Sequence, residues 1–168
     1  MAVLKILIFP DQRLRTVAKE VLVIDGEIKT LVSNLLETMY EGNGIGLSAT
    51  QANIHKRILV VDVSEEKDSP LILINPKIEV LNEEEEVSSE GCLSVPGFFE
   101  EVSRPSEINI TALNLEGEKF TIVATDLLAV AVQHEMDHLD GKIFVDFLSN
   151  LKRQTIKRKL LKISKAAV

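Results

Sequence analysis

His134, Glu135 and His138 form an H-E-x-x-H pattern. On a helix, side chains four apart share a face, so both imidazoles can reach one ion. Glu135 lies one step round that helix, within reach of a water held by such an ion. A metal makes water more acidic, and a carboxylate beside it can take the proton. The plainer reading is two surface histidines that happen to be four apart. Context favours the first reading, because Leu127, Leu128, Val130, Ala131 and Val132 just upstream make the helix a buried one. Polar groups buried there need partners, which a metal would supply.

A catalytic site of this type takes three protein ligands and keeps a position open. Downstream of His138 come Asp140 and Asp146, with no His or Glu at the spacing of an extended zinc-protease motif. The only cysteine, Cys92, is the other candidate, within Glu90-Gly91-Cys92-Leu93-Ser94. Cysteine also serves as a small buried hydrophobe. This one stands between a glycine and a turn rather than in an apolar run. A thiolate with two imidazoles suits zinc or ferrous iron. A third constellation is Gly44-Ile45-Gly46-Leu47-Ser48-Ala49-Thr50-Gln51. It matches neither a phosphate-binding loop nor a dinucleotide fingerprint. Its glycines would admit a substrate backbone closely, and Gln51 could donate to a developing oxyanion. The alternative is a glycine turn leading into a strand.

These residues need elements to hold them. A turn of helix is expected over 11–18. Asp25 reads as the N-cap of a helix over 26–41, with Ile28, Leu31, Val32, Leu35, Leu36 and Met39 on one face. Gly42-Asn43-Gly44 should end it through a left-handed glycine. Residues 57–63 and 71–75 read as strands joined by a polar turn, and so able to pair. The acidic run 83–86 reads as a solvated face or loop, and Pro96-Gly97 as a turn. Residues 107–114 and 119–125 are strand-like, joined around Glu116-Gly117. Asp126 is the expected cap of the metal helix, which runs to Leu139 and stops at Gly141. A last helix is expected over 149–165. This order argues for an α+β fold, with mixed or antiparallel sheets packed around a central H-E-x-x-H helix and further helices towards each end.

The 168 residues, 45% hydrophobic and 27% charged, suit one globular domain over 1–168. One cysteine excludes an intramolecular disulfide, and no stretch approaches a membrane span, so the cytoplasm is the expected compartment. The net charge of −7 is uneven: residues 151–168 hold seven basic residues and no acidic one. A basic helix packed through Ile156, Leu160 and Ile163 is one reading; RNA contact through clustered cations is the other. His55, beside Lys56 and Arg57, is expected to be solvent-exposed rather than a ligand.

Taken together, GIGLSATQ, EGCLS and QHEMDHLDG, in that order, resemble the motifs of the peptide deformylase family. The resemblance extends from VLKILIFPDQRLR to the C-terminal helix. Inside the motifs it departs only at Ser48, where the family usually has Ala. The resemblance implies removal of the formyl group from the N-terminal formyl-methionine of nascent polypeptides, releasing formate. Cys92, His134 and His138 would hold one divalent metal ion. This would be Fe2+ in the cell, although Zn2+, Ni2+ or Co2+ can occupy such a site. Glu135 would act as general base and then acid towards a metal-activated water. The Gln51 side chain and the Leu93 backbone N–H would stabilise the oxyanion. Ile45, Gly46 and Gly91 would hold the substrate chain. Ile45, Leu127, Val130 and the His134 ring would form the methionine pocket. Glu90 and Arg104 would buttress the Cys92 loop, although Arg104 also reads as a surface cation. Phe98 and Phe99 would line the groove. The resemblance further implies a monomer, with the basic helix touching the ribosome.

Three rivals are less favoured, given the missing downstream ligand, only three good ligands and the intact motifs. A zinc endoprotease predicts a third ligand beyond His138. A metal-stabilised binding module predicts a closed four-ligand site with no role for Glu135. A deformylase-like paralogue would keep the motifs with altered activity.

Overall fold

The structure, a computed structural model, describes residues 2–166. Residues 1, 167 and 168, which the single-domain expectation also spans, lie outside the described residues.

Helix α1, Gly26–Glu41, starts where the Asp25 carboxylate accepts a hydrogen bond from Ile28 N–H at 3.1 Å. Ile28, Leu31, Val32, Leu35 and Met39 are buried, as their spacing requires. Its end differs from the expected glycine cap. Gly42 has φ −83°, and Asn43 takes the left-handed conformation at φ 56°. Gly42 and Gly44 have another use, since a Cβ on either would press on the Leu93 side chain, at 2.9 and 3.2 Å.

Strands β1 (Gly46–Ser48), β2 (Ile58–Val61), β3 (Leu71–Cys92), β4 (Val95–Leu113) and β5 (Lys119–Thr125) follow in order. They form one sheet in the order β1-β2-β3-β4-β5, with every neighbouring pair antiparallel. The two middle strands are far longer than their hydrophobic patterns suggest. The acidic run 83–86 is strand, with Glu85 opposite Pro105 and Glu86 opposite Arg104. Its side chains are exposed, so the solvated-face part of the expectation holds and the loop part does not. Register shifts after Ile74, Val80, Asn82 and Glu90 bend the β3–β4 ribbon. The turn also lies elsewhere than expected. Leu93 and Ser94 connect the strands, with Cys92 opposite Val95. Pro96 and Gly97 are inside β4, where Gly97 carries φ +83°.

Helix α2, Asp126–Leu139, follows β5 directly; its N-cap is Thr125 rather than Asp126, with no side-chain capping bond. It packs on β1, β2, β4 and β5. Ala129, Val132, Met136 and Leu139 meet Leu59, Val61, Leu73, Ile108 and Ile110 of the sheet. A second apolar cluster joins α1 to β1 and β2. A third joins the N-terminal segment to Val95, Val102, residues 143–145 and helix α3, Asn150–Ala166. Ile156 and Leu160 of α3 are buried there, whereas Ile163 is exposed and does not share the packing. Among the described residues, no helix is long and apolar enough to cross a membrane.

Candidate metal centre

The β3–β4 turn and α2 bring distant residues together. Cys92 ends β3, and His134 and His138 stand one turn apart on the buried side of α2. Their ligand atoms all lie within 4.8 Å of one another, with Cys92 Sγ 3.3 Å from His138 Nε2. Ligands at tetrahedral bond lengths of about 2.0–2.3 Å stand roughly 3.3–3.6 Å apart, so the trio fits one ion with little movement. Among the described residues this is the group of His, Cys and acids with such convergence. Asp140 and Asp146, the downstream alternatives, are held elsewhere by Arg57 at 3.1 Å and Arg15 at 2.7 Å.

Glu135 is almost fully buried, and its Oε1 has no hydrogen-bond partner although it is 4.0 Å from His138 Nε2. An unpartnered carboxylate oxygen in a dry site is costly, and it fits a group that works on a water or an ion beside it. Burial is the main cause that drives the Glu135 carboxyl up to about 7; Glu90 and Asp137 add to this, and His134 and Arg104 oppose it. A cation in the site would favour the carboxylate. Gly46 makes the close fit possible, since a Cβ there would stand 2.6 Å from Glu135 Oε2.

A polar cage orients the histidines. Glu90 Oε1 lies 2.9 Å from His134 Nδ1, which leaves Nε2 free for an ion. Arg104 forks onto both Glu90 oxygens and reaches Asp137 at 2.9 Å. The reading of Arg104 as a surface cation is therefore wrong: it is 6% exposed. Burial would raise the Glu90 carboxyl, but His134 and Arg104 together hold it below its ordinary value. Asp137, unremarked in the sequence, completes this cage; its only signal was its position three residues after His134.

Gln51 is buried in a short 3-10 helix, Ala49–Ala52. Its Nε2 donates to Cys92 Sγ at 3.4 Å and to Ser94 Oγ at 3.1 Å. The N-terminal segment fixes this corner: Leu7 N–H donates to Gln51 O, and Phe9 N–H to Ser94 O. Nothing in the local pattern of residues 7 and 9 announces that task.

A cleft of about 490 Å³ opens over Cys92, His134 and Glu135, with His138 and Gln51 outside its lining. Ile45, Gly46, Glu90, Gly91, Cys92, Leu93, Leu127, Val130, His134 and Glu135 line it, as do Gly44, Pro96, Phe99 and Ala131. Phe99 and Phe98 separate. Phe99 reaches the cleft and lies against Gly91, where a Cβ would collide with its ring. Phe98 packs into the third core cluster, under Lys159, and is not in the groove. His55 is half-buried rather than solvent-exposed, is bonded to Asn53 and is not part of the ligand trio.

An antiparallel sheet with an H-E-x-x-H helix against it, and a cysteine from a strand end, defines a class of metal-site α+β enzymes. A profile of the family described as Polypeptide deformylase matches residues 3–154. The peptide deformylase of Saccharophagus degradans is 57% identical over 162 residues, covering 96% of this chain and 94% of its own. The crystal structure of peptide deformylase from Ehrlichia chaffeensis in complex with actinonin superposes with TM-score 0.93 at 42% identity. It covers 96% of this chain and 98% of that one. The Legionella pneumophila peptide deformylase gives TM-score 0.92 at 41% identity, covering 98% and 97%. The chain belongs to the polypeptide deformylase family.

Proposed function

We propose that the protein removes the formyl group from the N-terminal formyl-methionine of nascent polypeptides, by hydrolysis of a linear amide to formate and a free amine. The observation that carries this reading is the convergence of Cys92, His134 and His138 beside the unpartnered Glu135 carboxylate, at the floor of a cleft. These three residues would hold one divalent cation, Fe2+ in the cell, with Zn2+, Ni2+ or Co2+ as substitutes that the donor set also accepts. When bound, that ion supplies Lewis acidity towards a water and a carbonyl.

The chain's own residues do the rest. Glu135 takes the proton of the attacking water and hands it to the leaving nitrogen; its unpartnered Oε1, beside the ligand histidines, is placed for both transfers. Gln51 Nε2 and the Leu93 N–H would receive the oxyanion. One Gln51 proton now rests on sulfur, a weak acceptor that gives it up cheaply. Strand β1 lies at the sheet edge, where Ile45 and Gly46 can hold an extended peptide in strand fashion, with Gly91 of β3 lining the same cleft. Ile45 O accepts from Asp62 N–H at 2.8 Å, which fixes this rim. Leu127 and Val130, beside the His134 ring, offer an apolar wall for methionine. Glu90, Arg104 and Asp137 hold His134 and the Cys92 strand in place. The exposed cations of α3 would meet ribosomal RNA, with the enzyme in the cytoplasm and acting as a monomer.

The protease reading loses support, because its downstream ligands are engaged by arginines. The test is a substrate panel for anaerobically prepared protein: a formyl-Met peptide, its acetyl-Met counterpart and an unblocked peptide with internal bonds. Formate release from the first alone is expected. Internal cleavage, or equal turnover of the acetyl peptide, would overturn the reading. The compound actinonin, bound in the Ehrlichia chaffeensis structure, is expected to inhibit the same activity.

A further inference from the structure

Ser48 takes no part in the scheme above, yet its hydroxyl is fully buried beside the site. It ends β1, paired with Leu59, so its backbone is held by the sheet. The hydroxyl donates to Gln51 Oε1 at 3.2 Å, and the Ser48 N–H donates to the same oxygen at 3.0 Å. The other end of the amide donates to Cys92 Sγ at 3.4 Å and Ser94 Oγ at 3.1 Å. The Gln51 amide thus accepts twice and donates twice, with all four contacts among residues at most partly exposed.

Two consequences follow from the geometry. Turning the amide end for end would set its NH₂ against the Ser48 N–H, donor against donor, so its sense is fixed by the backbone. Its plane is another matter. The terminal torsion of glutamine is broad, and without the hydroxyl the plane would rest on one donor at Oε1 and, at Nε2, on Ser94 Oγ and the weak acceptor Cys92 Sγ. A second donor to Oε1 from a different atom restricts it. Hydrogen bonds along such a chain also polarise one another, which makes the Nε2 protons better donors.

We propose that Ser48 is a positioning residue: its hydroxyl locks the plane of the Gln51 amide so that Nε2 points at Cys92 Sγ and the reacting carbonyl. The catalytic part of this rests on the deformylase reading; the part concerning Cys92 does not. Ser48 acts through Gln51 and touches neither substrate nor ion.

The test uses the Co2+-loaded protein in four forms: unsubstituted, Ser48→Ala, Gln51→Ala and the double variant. A hydrogen bond to a thiolate lowers its donor orbitals and moves the sulfur-to-cobalt absorption to higher energy. Ser48→Ala is expected to move that band to longer wavelength, in the same direction as Gln51→Ala and by less. The double variant should match Gln51→Ala, because the hydroxyl has nothing left to orient. In turnover, Ser48→Ala should lower kcat about fivefold, as loss of one modest hydrogen bond predicts, with KM within about twofold and cobalt content unchanged. Ser48→Thr, which keeps the hydroxyl, should retain the native band. An unmoved band in Ser48→Ala, or shifts that add in the double variant, would overturn the proposal. A shifted band in a protein that releases no formate would uphold the Ser48 contact and refute the deformylase reading instead.

Discussion

Glu135 is the residue on which the chemistry turns, and its surroundings set two expectations. Its buried carboxylate is placed by packing, with Gly46 giving it room. Gly46→Ala would drive a methyl into Glu135 Oε2, so it should cut kcat at least tenfold while the protein stays folded. Steady-state kinetics beside a circular dichroism melt would check this; unchanged kcat would mean that the carboxylate can move freely. Arg104 carries a stability prediction. Arg104→Ala would leave the buried Glu90, and the partly buried Asp137, without their cation, at a cost of about 3–5 kcal/mol in chemical denaturation. Arg104→Lys should rescue little, because an ammonium lacks the planar fork that meets both Glu90 oxygens while reaching Asp137. How far the site could be read without coordinates follows from range. His134, Glu135 and His138 were legible because helical periodicity places them together. Cys92 was legible by type, as the only thiol. Asp137, Ser94 and the Ser48 hydroxyl were not, because their partners come from other elements and no local pattern encodes such meetings.

At the level of elements, α1 and β5 have the expected bounds and α2 starts one residue earlier, while the caps of α1's end and α2's start differ from those expected. The β3–β4 ribbon was missed in its outer half for a physical reason. Strand recognition relies on alternating burial, and residues 79–89 are almost all exposed, so no apolar face announces the strand. Pro96-Gly97 also read as a turn, yet an irregular strand tolerates both residues. This ribbon matters to function, because it carries Cys92 at its turn and joins Glu90 of β3 to Arg104 of β4 through a buried ion pair. A second link between elements is the Tyr40–Asp62 hydrogen bond, 2.6 Å long, which ties the end of α1 to the residue that follows β2 and holds Ile45 O. Burial and then this bond push the Tyr40 phenol from 10 up to about 12. A folded pKa above the unfolded one means that the stabilisation is complete below pH about 10 and is lost as pH rises towards 12. With one tyrosine and no tryptophan, an ultraviolet titration reads this group alone. Ionisation near 12 is expected, with a fall in Asp62→Asn; ionisation near 10 in the folded protein would contradict it.

Across the whole molecule, charge is segregated: an acidic body carries a helix whose outer face is basic. Ile156 and Leu160 anchor α3, so removing it would expose core, and charge reversal is the better probe. Arg158→Glu with Lys162→Glu should weaken ribosome co-sedimentation at least tenfold at low salt and flatten its salt dependence, with deformylation of a free peptide unchanged. Equal co-sedimentation would remove the RNA reading and leave α3 as packing alone. The fold brings three stretches of chain to one cleft, and the central claim is that they make a hydrolytic metal site with Glu135 as its proton carrier. The direct measurement is formate release from a formyl-Met peptide by anaerobically prepared protein, with Glu135→Ala alongside and metal content determined in both. The account predicts one divalent ion per chain in each, turnover in the first, and a loss of about 10² to 10⁴-fold in the second. Equal turnover by the two proteins, or no formate from the unsubstituted protein loaded with iron, nickel or cobalt, would contradict it.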